Sequence, residues 1–278
     1  MPGTLYLVST PIGNLGDITF RAVDILRSVA LIVAEDTRHS RALLDRYQIA
    51  TPVEAHHEHN EARATPKLVG RLSAGESIAL ITDAGTPLLS DPGARLVRGA
   101  LDAGVDVVPI PGASALLAAL VASGLDTDRF TFFGFLARKG RERKNALLAL
   151  QALEHTAVLY EAPNRVADTL AELVELGMGT RQAVVARELT KQFEELKRGT
   201  VESLARYYAD TPARGEVVLV ISGAEPTAVD ESSLRERARS LRGSGHSARD
   251  TARVLVEELG APRNLAYRLA HEAEPEQV

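Results

Sequence analysis

The sequence predicts an α/β protein built around a parallel sheet, and three observations predict it. Short, wholly apolar runs such as residues 78–81 (Ile-Ala-Leu-Ile) have the length and composition of strands buried on both faces. These runs alternate with segments of helical periodicity. Several of them end in loops of small residues: Ser9-Thr10-Pro11-Ile12-Gly13, Thr82-Asp83-Ala84-Gly85-Thr86-Pro87 and Pro111-Gly112-Ala113-Ser114-Ala115. The carboxyl ends of parallel strands are where open α/β sheets hold ligands.

Taken in order, residues 5–8 form the first strand and 9–17 a Gly/Pro loop. Phe20, Val23, Leu26 and Val29 then recur at helical spacing. Residues 31–33 form the second strand, and Asp36 or Thr37 can cap a helix bearing Leu43, Leu44 and Tyr47. A weak strand at 52–54 leads into His56-His57-Glu58-His59-Asn60-Glu61 and a helix to Leu72. After strand 78–81, Asp91 is expected to cap a helix with Pro92 at its first position, running through Leu96 and Val97 to Gly104. Strand 105–108 precedes the third small-residue loop, where Ser114 can cap a helix to Ser123. Residues 124–128 read as a junction. A second α/β set follows, with strands at 130–133, 157–160, 183–186, 195–199 and 217–221, a basic run at 138–144, and a helix to Leu176. Residues 224–230 read as a linker, and helical segments follow at 231–241, 247–259 and 263–271.

Composition narrows the function. The chain of 278 residues is 45% hydrophobic with a formal net charge of −5, enough for more than one domain. It has no cysteine, which excludes disulfides, thiolate metal sites and a thiol nucleophile. No apolar run approaches membrane-spanning length, and residues 1–10 lack a basic segment ahead of their apolar stretch, so a cytoplasmic protein is expected. Neither G-x-G-x-x-G after the first strand nor a Walker lysine is present.

The segments LYLVSTPIGNLGDIT (5–19), AEDTRHSRALL (34–44), HEHNE (57–61), ITDAGTPLLSDPG (81–93), VPIPGASAL (108–116), FFGFL (132–136), YEAPNR (160–165) and ARELTK (186–191) cover nearly all of the first 223 residues. In this order they resemble the tetrapyrrole-methylase superfamily, and within it the ribosomal RNA small subunit methyltransferase I family. The resemblance implies a two-domain class III S-adenosylmethionine-dependent methyltransferase fold, with domains at 1–116 and 117–226 and the cofactor between them. The tail, 227–278, resembles the small helix-turn-helix domain of some members. The implied reaction is 2′-O-methylation of a cytidine ribose in the decoding region of 16S ribosomal RNA. The implied partners are that RNA or the small ribosomal subunit, and a second copy of the chain. Relatives acting on tetrapyrroles carry Gly-Asp-Pro where this chain has Gly85-Thr86-Pro87, so the carboxylate nearest that position is Asp83.

By motif position, the resemblance assigns S-adenosylmethionine contacts to Pro11, Ile12, Asp83, Gly85, Thr86, Leu89, Ser114 and Ala115, with Tyr160 and Arg187 from the second domain. Plain core packing for Ile12 and Leu89, and helix capping for Ser114, compete with these roles. A ribose hydroxyl is a poor acid, so a base or a nearby cation is useful. Lys191 is the first candidate, because lysine is scarce here and gives up its proton when desolvated. Asp36 is the second, against a role as helix cap paired with Arg38. His57 and His59 at alternate positions invite a metal reading if they lie on a strand, but the resemblance calls for no metal. Arg138, Lys139, Arg141, Arg143 and Lys144 form a candidate phosphate-binding patch for RNA, and arginines recur in the tail. The competing functions are methyl transfer to a small tetrapyrrole-like molecule, disfavoured by Thr86 and the basic run, and RNA binding on an inactive scaffold, disfavoured by the intact loops.

Overall fold

The computed structural model describes residues 1–224 and 231–273. Contacts divide the chain into two compact units, Met1–Gly223 and Ala224–Val278.

The first unit holds two sheets. One is wholly parallel, in the order β3-β2-β4-β1-β5, formed by β1 (Thr4–Val8), β2 (Leu31–Ala34), β3 (Val53–Ala55), β4 (Ile78–Ile81) and β5 (Asp106–Ile110). Every residue of β2 and β4 is buried, as their unbroken apolar runs require. Helices α1 (Phe20–Ser28) and α2 (Thr37–Arg46) supply Leu26 and Leu44 to one face, against Ile32 and Ile81. Helices α3 (Glu58–Ser73) and α4 (Ala94–Asp102) supply Leu68, Leu72 and Leu96 to the other. Because β4, β1 and β5 are adjacent and parallel, the three small-residue loops emerge side by side at one edge.

The second sheet runs β6-β7-β10-β8-β9, from β6 (Phe130–Phe135), β7 (Thr156–Glu161), β8 (Gln182–Arg187), β9 (Glu195–Thr200) and β10 (Val217–Ile221). Only β6 and β7 pair in parallel; the rest of this sheet is antiparallel. Helices α6 (Gly140–Gln151), α7 (Val166–Leu173) and α8 (Val201–Asp210) cover one face. The other face is covered by α5 (Ala115–Ser123), whose Leu116, Ala119 and Leu120 pack on Val158, Val184 and Val218. The division expected at 116/117 therefore falls inside a helix that is packed on the second sheet. Arg198 on β9 donates to the Ser123 carbonyl at 3.2 Å, occupying an acceptor at the carboxyl end of α5.

The second unit is a helical cluster of α9 (Glu231–Gly243), α10 (Ala248–Glu257) and α11 (Arg263–Glu272), packed around Leu234, Leu255 and Leu269. Ser247 caps α10, accepting from the Asp250 amide at 3.1 Å. Apart from Ala224, the linker expected at 224–230 lies outside the described residues. No helix of the described residues is long and apolar enough to cross a membrane.

Three local expectations are corrected. Phe20 follows the helical spacing of the core residues yet is 94% exposed at the start of α1. His57 caps α3 and His59 lies in its first turn, so the two do not alternate along a strand. Asp91 does not cap the helix after β4. It accepts a 2.7 Å hydrogen bond from the Thr82 hydroxyl, and α4 starts three residues later, with Gly93 as its N-cap at φ 126°. The free amides there are bonded instead by Glu61 of α3, only 9% exposed, which accepts from Gly93 at 3.2 Å and Arg95 at 2.9 Å. A carboxylate on the amino end of a helix is favoured by both hydrogen bonding and the helix dipole. Glu61→Ala should lower unfolding free energy by about 1–3 kcal/mol. Glu61→Gln, which keeps an acceptor, should lose less. Urea unfolding of both variants checks the assignment.

Candidate functional site

The three loops of the first sheet are tied to one another. Thr10 and Gly85 form a backbone bridge, with N–H to O distances of 2.8 and 3.1 Å in the two directions. The Thr10 hydroxyl donates to the Thr82 carbonyl at 3.1 Å. Ser9 donates to the Thr86 hydroxyl at 3.3 Å, and Thr86 to the Ala113 carbonyl at 3.4 Å. Gly85 has φ +84°, and a Cβ there would press on Ile12 at 3.3 Å, so side-chain-free backbone is needed for this contact.

The loops facing each other across the two lobes carry unusual backbone. Leu88 and Ser90 after β4, and Glu188 and Thr190 after β8, all have φ between 50° and 72°. Left-handed non-glycine residues cost about 1–3 kcal/mol each and concentrate where function holds the chain in place.

Two adjoining cavities lie between the lobes. The first, about 420 Å³, is lined by apolar residues including Ile12, Leu89, Ala115, Phe135, Tyr160 and Val218, and by the backbone-rich segment 83–86. Tyr160 is held edge-on by Phe132, with ring centroids 4.9 Å apart. The lining carries Glu35, Asp83, Asp91, Glu161 and Glu216, and no lysine, arginine or histidine among the described residues. Glu161 is internally satisfied by Arg165 at 3.3 Å and Thr169 at 2.6 Å. Burial, then the charges of Asp91, Asp83 and Asp36, push the Glu35 carboxyl above its ordinary range. Burial does the same to Asp91, against its bond from Thr82 and with added repulsion from Asp83. Glu216 is paired with Lys191 at 3.0 Å, which leaves Glu35, Asp83 and Asp91 without an ion pair among the described residues; a cavity of this size with apolar walls and three such carboxylates suits a largely apolar ligand bearing positive charge.

The second cavity, about 590 Å³, shares Ile12, Asp83, Ala84 and Glu216 with the first. Its own lining includes Pro11, Gly13, Ser40 and the basic residues Arg38, His39 and Lys191.

These geometries sort the expected site residues. Ile12, Asp83, Gly85, Thr86, Leu89, Ala115 and Tyr160 line the first cavity, whereas Pro11 lines the second. Ser114 lines neither; it caps α5, accepting from the Leu117 amide at 3.5 Å. Arg187 also lines neither, since Glu195 holds it at 2.5 Å. Asp36 is a helix cap, accepting from the Arg38 amide at 2.8 Å and pairing with its guanidinium at 2.9 Å. These bonds from Arg38 pull its carboxyl down to about 2, which makes it a poor proton acceptor.

Lys191 is likewise not a free base. Desolvation lowers its proton affinity, but Glu188 and Glu216, each 3.0 Å from Nζ, outweigh that and raise it, so the side chain is an ammonium ion. In the basic run, Arg143 is only 7% exposed and does not belong to the surface patch. It pairs with Glu172 at 2.9 Å and donates to Thr169 at 3.0 Å, bracing the end of β7 through the Thr169–Glu161 bond. Arg138, Lys139, Arg141 and Lys144 are exposed. The sequence assigns Glu35 no role and Asp91 only that of a helix cap; the available signal is that both are carboxylates at strand or loop ends within the matched motifs.

The family profile of the Tetrapyrrole (Corrin/Porphyrin) Methylases matches residues 4–205. The chain is 48% identical over 275 residues to the ribosomal RNA small subunit methyltransferase I of Synechocystis sp., covering 98% of this chain and 99% of that one. It is 41% identical to the protein of the same name from Bacillus subtilis, with 97% and 94% covered. Among solved structures, uroporphyrin-III C-methyltransferase from Thermus thermophilus, complexed with S-adenosylhomocysteine, shares the fold at TM-score 0.57 and 20% identity, over 79% of this chain and 97% of that one. Diphthine synthase does so at TM-score 0.61 and 17% identity, over 79% and 90%.

Because Glu35 binds its proton more tightly folded than unfolded, it favours folding only at low pH, and this contribution is lost as pH rises through its folded value. Glu35→Gln should therefore raise the Tm of the ligand-free protein at pH 7–8, with the gain shrinking as pH falls toward the ordinary carboxyl range of about 4. Thermal melts across that range check the sign.

Proposed function

The chain belongs to the tetrapyrrole (corrin/porphyrin) methylase family and, within it, to the ribosomal RNA small subunit methyltransferases I, and on that premise we propose that it transfers the methyl group of S-adenosylmethionine to the ribose 2′-hydroxyl of a cytidine in the decoding region of 16S ribosomal RNA. The observation that carries this reading is similarity at 48% identity over essentially the whole of both chains. The electrostatics of the first cavity support it, because the donor's sulfonium is a cation and Glu35, Asp83 and Asp91 surround that space without a basic neighbour.

In this reading Ile12, Leu89, Ala115 and Tyr160 enclose the donor, while Gly85 and Thr86 bring backbone close to its polar ends. The sulfonium activates its own methyl group. The protein's task is to align donor and acceptor in line, exclude water and remove a proton. Arg138, Lys139, Arg141 and Lys144 bind backbone phosphates of the RNA, a local positive field on an acidic protein. The tail helices α9–α11 dock on RNA or on the small subunit. A homodimer is consistent with Leu117 and Val121, exposed by 50% and 71% on the outer side of α5. The reaction takes place in the cytoplasm.

The direct test maps ribose methylation in 16S ribosomal RNA from cells with and without the gene; an unchanged map rejects the reading. Gly85→Leu should abolish S-adenosylmethionine binding in calorimetry, since φ +84° disfavours a side chain and a Cβ already reaches Ile12. Retained affinity would move the donor elsewhere. Replacing Arg138, Lys139, Arg141 and Lys144 with glutamine should weaken RNA capture and reduce the slope of log K against log salt by up to about 3–4, for four lost phosphate contacts at about 0.7–0.9 each. An unaltered slope removes the patch.

A further inference from the structure

The two cavities differ in sign where they differ in lining. The first has carboxylates and no basic side chain; the basic groups Arg38, His39 and Lys191 all belong to the second. Arg38 pairs with Asp36, but its side chain is 90% exposed and free to take a second anionic partner. His39 is exposed beside it on α2. Lys191 reaches over Gly13, where a Cβ would collide with its side chain at 2.4 Å, so the glycine makes room for the ammonium stem. A cationic donor and a polyanionic acceptor strand therefore have separate, adjoining spaces, and they meet along a common wall.

That wall carries two ionisable side chains, Asp83 and Glu216. Glu216 is 70% exposed and is bound to Lys191. Asp83 is more enclosed, and one of its oxygens accepts the Asp36 amide at 3.1 Å, which orients the carboxylate at the end of β4.

We propose that the second cavity is the acceptor-nucleotide subsite, with Arg38, His39 and Lys191 holding the phosphates that flank the target ribose and Asp83 receiving the proton of its 2′-hydroxyl. The proposal rests on the reading of this chain as a ribosomal RNA methyltransferase. The step balances without a further reactant. The 2′-oxygen forms a bond to the methyl carbon, the carbon–sulfur bond breaks, and its electron pair stays on sulfur to give a neutral thioether. The hydroxyl proton passes to Asp83 and then to water. As the new bond forms, the attacking oxygen becomes positive and its proton strongly acidic, so a carboxylate is a sufficient acceptor. The Lys191 ammonium, held between Glu188 and Glu216, anchors phosphate as a cation.

The test uses the full chain, labelled S-adenosylmethionine and small ribosomal subunits from cells lacking the gene. Arg38→Glu with His39→Glu should raise KM for the subunit at least tenfold and leave the Kd for S-adenosylmethionine within twofold. His39→Glu alone changes an exposed side chain outside the Asp36–Arg38 pair, and should shift KM the same way by less, which guards against a folding defect in the double variant. Unchanged KM, or a loss confined to donor affinity, overturns the subsite. Asp83→Asn keeps an acceptor for the Asp36 amide. At saturating S-adenosylmethionine, which offsets the weaker donor binding that removing a carboxylate from the first cavity brings, it should lower kcat about 100-fold with subunit KM near wild type. Normal kcat, or a larger kcat loss in Glu35→Gln than in Asp83→Asn, overturns Asp83 as proton acceptor. Failure of the parent reading looks different: the wild-type chain binds S-adenosylmethionine but labels no subunit, which removes both.

Discussion

The backbone bridge between Thr10 and Gly85 is the constraint on which the rest of the site depends. Parallel strands bring β4, β1 and β5 side by side but leave their carboxyl-terminal loops unpaired. Two reciprocal hydrogen bonds across Thr10 and Gly85 join the first two loops, and Thr86 reaches the third through the Ala113 carbonyl. The approach is close enough that Gly112 sits where a Cβ would meet Ser9 at 2.9 Å. Three loops that would otherwise move separately become one floor, and both cavities are built on it.

On that floor the charges are arranged at a cost to the empty protein. Glu35, Asp83 and Asp91 crowd one cavity, and burial with mutual repulsion raises the proton affinities of Glu35 and Asp91. In the proposed function a sulfonium bound there would relieve that repulsion, and binding energy would concentrate at the reacting centre. The left-handed Leu88, Ser90, Glu188 and Thr190 store further strain in the loops after β4 and β8. Stability and activity are opposed here, as they commonly are in functional sites.

The sequence makes much of this legible, for identifiable reasons. Buried parallel strands cannot tolerate polar residues, so 31–34 and 78–81 announce themselves. Asp36 and Ser114 sit at strand or loop ends in cap-forming positions, and both do cap. Other roles depend on partners distant in the chain. Nothing local to Glu61 reveals that it bonds the amides of Gly93 and Arg95. Arg143 reads like its neighbours in the basic run until Glu172 and Thr169 close around it. Lys191 reads as a base until Glu188 and Glu216 make it an ion pair. Helix α8 occupies a stretch for which the sequence reading predicts no element.

By itself, then, the sequence determined the alternating α/β architecture, the loops of small residues, the helical tail and the family, because each is written in local periodicity or in contiguous motifs. Tertiary structure alone decided which charges face one another. Proton affinity and ion pairing fall off over a few ångströms in space, and chain distance says little about them. Folding therefore placed Glu35 and Asp91 in one chamber of the cleft and Arg38, His39 and Lys191 in the other, with Asp83 and Glu216 on the wall they share, a division visible only once α2, the β4 loop and the β8–β9 loop are brought together.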